Sequence, residues 1–233
     1  NINTFLETIT PKLSPVASSY KDTWLSLYRK TLQKREMFLE TIPFSDMASY
    51  KAIFEHIPTA YHIQISNSAP IRYAQLFHSK ADWQVYCNRG TSGIDGSTST
   101  AIGASVVSPL PTLLITGDLS FFYNSNALWC NYMPKNFKII VINNAGGGIF
   151  RILPTNKETS FFETFQETTH SLTAEHLCKM YGLSYLQAQC EEEVLKALEV
   201  FFKEKETPIL LEIFTPKEVN AGVLKDYFLS LIR

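Results

Sequence analysis

Three short runs of unbroken apolar residues, Leu113–Ile115, Ile139–Ile142 and Ile209–Leu211, constrain this chain more than any other feature. A strand with one wet face alternates apolar and polar residues, whereas a continuous run is expected of a strand covered on both faces. Tyr61, Ile63 and Ile65 alternate with polar residues, Val85–Cys87 is a short strand candidate, Tyr185–Ala188 is weaker, and the last apolar run extends clearly to Phe214. Helical spacing separates them and predicts helices over 97–107, 121–132, 172–181, 191–205 and 219–232. Strands alternating with helices predict an α/β fold, a mostly parallel sheet flanked by helices on both faces.

The segment before this pattern reads differently. Residues 1–17 carry Pro11 and Pro15 and read as a linker or extended arm. Ser19 followed by Asp22 resembles a capping box, and apolar spacing from Trp24 to Ile42 predicts a helix stopped by Pro43. Ser45 opens another helix, with Met47, Tyr50, Phe54 and Ile57 on one face, ended by Pro58. We therefore divide the chain into 1–57, a connecting arm with linking helices, and 58–233, a single domain. A polar stretch from about Thr155 to His170 lacks period and is expected to be a mobile surface loop.

Lys and Arg number 21 against 22 Asp and Glu, a net charge of -1, with no basic stripe, so no nucleic-acid partner is expected. The apolar runs are too short to span a bilayer, and no transmembrane segment is expected. Cys87, Cys130, Cys178 and Cys190 form no C-x-x-C pair and read as buried free thiols in a reducing cytoplasm.

In an open parallel sheet, ligands bind beyond the carboxyl ends of the strands. Two such junctions are Gly117-Asp118-Leu119-Ser120 and Asn143-Asn144-Ala145-Gly146-Gly147-Gly148. Asp118 offers a carboxylate and Asn144 an amide oxygen, both hard ligands that suit Mg²⁺. The glycines allow backbone to approach a phosphate closely. Separately, Gly-Asp and Asn-Asn-x-Gly are common turns. Together, at two strand ends with room for one crossover helix between them, they point to a diphosphate held through a metal ion.

That pair of motifs resembles the diphosphate-binding signature of thiamine-diphosphate enzymes, although many of those have a second Gly where Leu119 stands. Two further junctions, Asn67-Ser68-Ala69-Pro70-Ile71-Arg72 and Asn88-Arg89-Gly90-Thr91-Ser92-Gly93-Ile94-Asp95-Gly96, narrow the resemblance. In the same order along the chain, the four motifs are similar to those of the MenD family. These are the 2-succinyl-5-enolpyruvyl-6-hydroxy-3-cyclohexene-1-carboxylate synthases of menaquinone biosynthesis, and the likeness covers about Ala60 to Phe214.

The resemblance implies a thiamine-diphosphate-binding fold, a thiamine diphosphate cofactor and Mg²⁺ or Mn²⁺. It implies Asp118, the Asn144 side chain and the Gly146 carbonyl as metal ligands, with Gly117, Leu119, Ser120 and Gly147 beside the diphosphate. Ile94 matches the residue that keeps the cofactor's two rings bent together, and Ile149 and Phe150 match apolar walls. The substrates implied are 2-oxoglutarate and isochorismate, each with two carboxylates, for which Arg72 and Arg89 supply planar cationic forks and Ser68 a hydroxyl. The five histidines match no role and are expected to be structural or superficial. Asn124 stands where the family has Asp, a change expected to bear on how the following helix start is held, though not on the metal.

Members of that family are about twice this length or more, with an amino-terminal pyrimidine-binding domain, which carries the activating glutamate, and a middle domain ahead of this one. The chain is therefore expected to be the carboxyl-terminal domain, inactive alone and completed by the pyrimidine domain of a neighbouring subunit in a homodimer or homotetramer. Two other readings stay open: a domain of another thiamine-diphosphate carboligase, such as an acetolactate-synthase relative, and a noncatalytic cofactor-binding module. A generic dinucleotide-binding domain is disfavoured because no G-x-G-x-x-G opens a first βα turn.

Overall fold

The computed structural model describes residues 1–153, 157 and 159–232. Among these, six strands form one parallel sheet: β1 (His62–Ile65), β2 (Gln84–Cys87), β3 (Thr112–Gly117), β4 (Lys138–Asn143), β5 (Ser184–Ala188) and β6 (Ile209–Phe214). Their order across the sheet is β2-β1-β3-β4-β6-β5, with every neighbour parallel. The chain runs outward from β1 to β2 and then returns to β3, so the order reverses between β1 and β3. That reversal opens a crevice at the carboxyl ends of the strands.

The helices are α1 (Ile2–Ile9), α2 (Tyr20–Leu39), α3 (Asp46–His56), α4 (Ala69–Ala74), α5 (Ser97–Val107), α6 (Asp118–Tyr123), α7 (Ile149–Ile152), α8 (Glu175–Tyr181), α9 (Glu191–Lys203) and α10 (Lys217–Ile232). They cover both faces of the sheet. Alternate residues of the central strands divide between two cores, as a period of two requires. Leu113, Ile115, Ile140, Ile142, Leu211 and Ile213 pack with α3, α4, α9 and α10. Leu114, Ile139, Val141 and Leu210 face the other way, against Ala101, Phe121, Phe137 and Cys178. The continuous apolar runs are explained by this arrangement, since every residue in them is buried.

Several elements depart from the sequence reading. Residues 2–9 are helical and not extended, capped by the Asn1 side chain, yet α1 buries none of its residues. Ser19 precedes α2 without capping it; the Ser18 hydroxyl accepts from the Tyr20 N–H instead. The helix α3, grouped above with the connecting segment, carries Met47, Tyr50 and Ile53 into the main core, and Ser45 caps it as expected. β2 is an edge strand with Val85 and Tyr86 exposed. The helix expected at 121–132 divides into α6 and a 3₁₀ turn, Ser125–Trp129.

The expected loop from Thr155 to His170 lies partly outside the described residues, at 155, 156 and 158. Its described part is ordered by a π-helical turn, Phe162–Glu167, with Phe162 and Glu167 buried. All four cysteines are free, but only Cys178 is fully buried, and Cys190 is exposed, contrary to expectation. Among the described residues no helix is long and apolar enough to cross a membrane.

Candidate cofactor site

The crevice at the strand reversal is a cavity of about 170 Å³ built from the ends of three neighbouring strands. The β1 end contributes Asn67, Ser68, Ala69 and Pro70. The β3 end contributes Gly117, Asp118, Leu119 and Ser120, and the β4 end contributes Asn144, Gly146, Gly147, Gly148, Ile149 and Phe150. Register explains the convergence: Gly117 pairs with Ile142, so the residues just beyond β3 and β4 emerge side by side.

Asp118 is 3% exposed and is held from three directions. Its Oδ1 accepts from the Leu119 N–H at 2.7 Å, and Oδ2 accepts from the Gly146 N–H at 2.9 Å and from His170 Nε2 at 3.2 Å. His170 Nδ1 accepts from the Leu172 N–H, so the ring proton belongs on Nε2, the nitrogen facing Asp118. Asn144 is also buried. Its Nδ2 donates to Asp46 Oδ2 at 2.9 Å, while its Oδ1 has no partner among the described residues. A buried amide oxygen without a donor is costly unless something fills its lone pairs. Its lone pairs, together with those left on Asp118, are of the kind a hard cation takes up. The Gly146 carbonyl accepts from the Gly148 N–H at 3.0 Å and keeps a second lone pair.

The glycine loop is folded tightly beside these groups. Gly146 has φ +150°, and a Cβ there would lie 2.8 Å from the Glu167 carbonyl oxygen. That oxygen accepts from the Gly147 N–H at 2.6 Å. Glu167 is itself fixed by Arg151, whose Nη2 donates at 2.6 Å, and by the Thr169 hydroxyl.

A model for the thiamine pyrophosphate enzyme C-terminal TPP-binding domain matches residues 68–213, well over half of the sequence. The chain belongs to this family. Curated relatives agree. The chain is 50% identical over 227 residues to a 2-succinyl-5-enolpyruvyl-6-hydroxy-3-cyclohexene-1-carboxylate synthase of Flavobacterium psychrophilum, covering 97% of this chain and 41% of the relative. It is 49% identical to the enzyme of that name from Flavobacterium johnsoniae, covering 98% of this chain and 41% of the relative. For the Porphyromonas gingivalis protein of that name the identity is 42%, covering 93% and 38%. The chain thus spans about two-fifths of the length of these relatives.

Within this TPP-binding domain, every cofactor-side residue singled out from sequence lines the one cavity, and so does Ser68. Ile94 reaches it from the loop before α5, which is tied down by the Ser120 hydroxyl donating to the Ile94 carbonyl at 2.5 Å. Arg72 and Arg89 are exposed and do not line the cavity. They are anchored to residues that do: Arg72 Nη1 donates to the Ser68 carbonyl at 2.8 Å, and Arg89 Nη1 to Asn67 Oδ1 at 2.6 Å. Ser68 is held at φ 77°, ψ -131°, a conformation that costs a non-glycine residue about 1–3 kcal/mol. The Asn124 side chain does not cap the 3₁₀ turn that follows it; its Oδ1 instead accepts from the Ser99 N–H at 2.8 Å, near the start of α5.

Three residues of the site escaped the sequence reading. His170, expected from sequence to be structural or superficial, hydrogen-bonds Asp118. Asp46, at the start of α3, lines the cavity and holds Asn144. Burial pushes its carboxyl up to about 6, and the Asp118 charge adds to the rise, against hydrogen bonds from Thr215 and Asn144 that lower it. Glu212 on β6 is fully buried and accepts from Asn143 Nδ2, the Thr173 and Tyr185 hydroxyls and the Ala174 N–H, all within 3.0 Å. Through Asn143, whose Oδ1 accepts from the Ala145 N–H, it braces the root of the glycine loop.

Proposed function

We propose that this chain is the diphosphate-binding domain of a thiamine-diphosphate-dependent transferase, a 2-succinyl-5-enolpyruvyl-6-hydroxy-3-cyclohexene-1-carboxylate synthase of menaquinone biosynthesis. The observation that carries the reading is the unpartnered Oδ1 of Asn144, a residue that lines the same glycine-rich cavity as Asp118. That donor set fits Mg²⁺ or Mn²⁺, which takes few protein oxygens and completes its shell with water and phosphate. Asp118, Asn144 and the Gly146 carbonyl hold the ion. Gly117, Leu119, Ser120 and Gly147 surround the diphosphate.

When bound, thiamine diphosphate supplies the electron sink that lets a 2-oxo acid lose carbon dioxide. Ile94, Ile149 and Phe150 wall its ring end and exclude water, which strengthens every charged contact inside. Arg72 and Arg89 stand at the rim, where 2-oxoglutarate and isochorismate present their carboxylates, and the Ser68 hydroxyl hydrogen-bonds substrate. The activating glutamate comes from the pyrimidine domain of a neighbouring subunit in a homodimer or homotetramer. Exposed aromatics beyond β3, Tyr123, Trp129 and Tyr132, suit a surface that is covered on assembly. Four free cysteines suit a reducing, cytoplasmic compartment.

The test is isochorismate consumption with 2-oxoglutarate by the full-length protein carrying Arg72→Ala or Arg89→Ala. Losing a charge-assisted contact costs about 2–5 kcal/mol, so turnover falls at least tenfold while Mg²⁺-dependent cofactor affinity is unchanged. Unimpaired turnover in both variants would remove the arginines from substrate binding.

A further inference from the structure

A side-chain amide is a metal ligand only when its oxygen faces the ion, and its two ends are nearly identical in shape. Rotating the amide by a half-turn would place an NH₂ group, a donor, where a cation needs an acceptor. Something must therefore choose the orientation of Asn144. The polypeptide supplies that choice from 98 residues away. Asp46 Oδ2 accepts from Asn144 Nδ2 at 2.9 Å, and a carboxylate can only accept. The reversed amide would set oxygen against oxygen.

Asp46 is itself unable to turn. Its Oδ1 accepts from the Thr215 hydroxyl at 2.6 Å, and its backbone N–H donates to Asn220 Oδ1 at 2.8 Å. Asp46, Asn144, Thr215 and Asn220 are all at least nine-tenths buried. They come from the start of α3, the residue after β4, the residue after β6, and α10. Among the described residues no ion pair includes Asp46. A buried carboxylate kept at such cost, with hydrogen bonds as its sole compensation, has a use beyond packing.

We propose that Asp46 is a positioning residue that fixes the Asn144 amide with its oxygen toward the cavity, so that the metal ligand is formed before the ion arrives. The inference rests on the reading of Asn144 as a ligand, and deepens it. Partners that orient a ligand in this way typically govern metal affinity 10–100-fold.

The test is Mn²⁺ binding to this chain in the presence of thiamine diphosphate, followed by the electron paramagnetic resonance signal of free Mn²⁺. Two variants remove the acceptor, Asp46→Ala and Asp46→Leu, so that one remains if the other fails to fold; thermal melts check folding. Both are expected to weaken Mn²⁺ binding at least tenfold. Asp46→Asn offers Asn144 an amide oxygen as acceptor and turns its own NH₂ toward the Thr215 hydroxyl, which can accept. It is expected to restore affinity to within threefold of wild type.

An unchanged affinity in a folded Asp46→Ala or Asp46→Leu chain would overturn the proposal. So would Asp46→Asn binding as poorly as Asp46→Ala, because the effect would then belong to charge. Asp118→Ala separates the two levels of the argument. If wild type binds Mn²⁺ and Asp118→Ala binds it equally well, the metal site itself is misplaced. If Asp118→Ala alone loses binding, only the role of Asp46 fails.

Discussion

Substituting Gly146 by Ala tests how tightly the glycine loop is pressed against the π-helical turn. The new Cβ would lie 2.8 Å from the Glu167 carbonyl oxygen and 3.1 Å from Glu167 Cγ, at a backbone φ of +150°. The colliding atom is backbone, and the Arg151 and Thr169 contacts to the Glu167 side chain prevent that segment from swinging away. Strain at such a φ costs about 1–3 kcal/mol, and overpacking a tight contact costs a similar amount. A net loss of about 3 kcal/mol corresponds to a melting temperature lower by about 6–12 °C in a chain of this size. Gly103 provides a control of opposite sign. It is exposed inside α5 with nothing within 4 Å of a built Cβ, so Gly103→Ala should stabilise by about 0.5–1 kcal/mol. Both shifts are read by differential scanning calorimetry, with Mn²⁺ affinity measured alongside. If Gly146→Ala melts with wild type and binds Mn²⁺ normally, the packing of the loop on Glu167 is wrong.

Glu212→Gln places an NH₂ group among four donors, so at least one buried donor loses its acceptor. Urea denaturation should report a loss of about 1–3 kcal/mol, and an unchanged midpoint would refute the buried network. Lys138 is buried with its ammonium donating to the Phe201 and Glu204 carbonyls, and burial pushes its pKa down to about 8. The folded state then binds fewer protons than the unfolded state between pH 8 and about 10. Wild type should accordingly gain stability relative to Lys138→Met as pH rises through that window, and a constant difference would contradict the shift. Ser68→Gly should relieve the strained backbone and raise stability by about 1 kcal/mol, detected by thermal melt; a lower melting temperature would show that Ser68 is not strained.

Much of the fold was legible because burial on both faces leaves an unmistakable apolar run. Leu113–Ile115 and Ile139–Ile142 lie in central strands with covered faces. α1 was not legible, because a helix that buries nothing gives no packing reason for its periodicity and two prolines follow it. The π-helical turn was hidden by its Glu and Thr residues, although Phe162 and Glu167 are buried. The cavity-lining residues singled out from sequence were readable because each lies within seven positions of a strand end. Asp46 and His170 were not, since their partners lie 98 and 52 positions away and nothing local marks them. Glu212 sits in an apolar strand, where a lone carboxylate looks like an outward-facing residue until its four donors are seen.

The central claim is that the cavity takes a diphosphate through a metal ion held at the ends of β3 and β4. Calorimetric titration of thiamine diphosphate into this chain, with and without Mg²⁺, tests it most directly. Binding heat should be present with Mg²⁺, absent when the metal is chelated, and absent with Mg²⁺ in Asp118→Ala. Equal binding without metal, or in Asp118→Ala, would contradict the account.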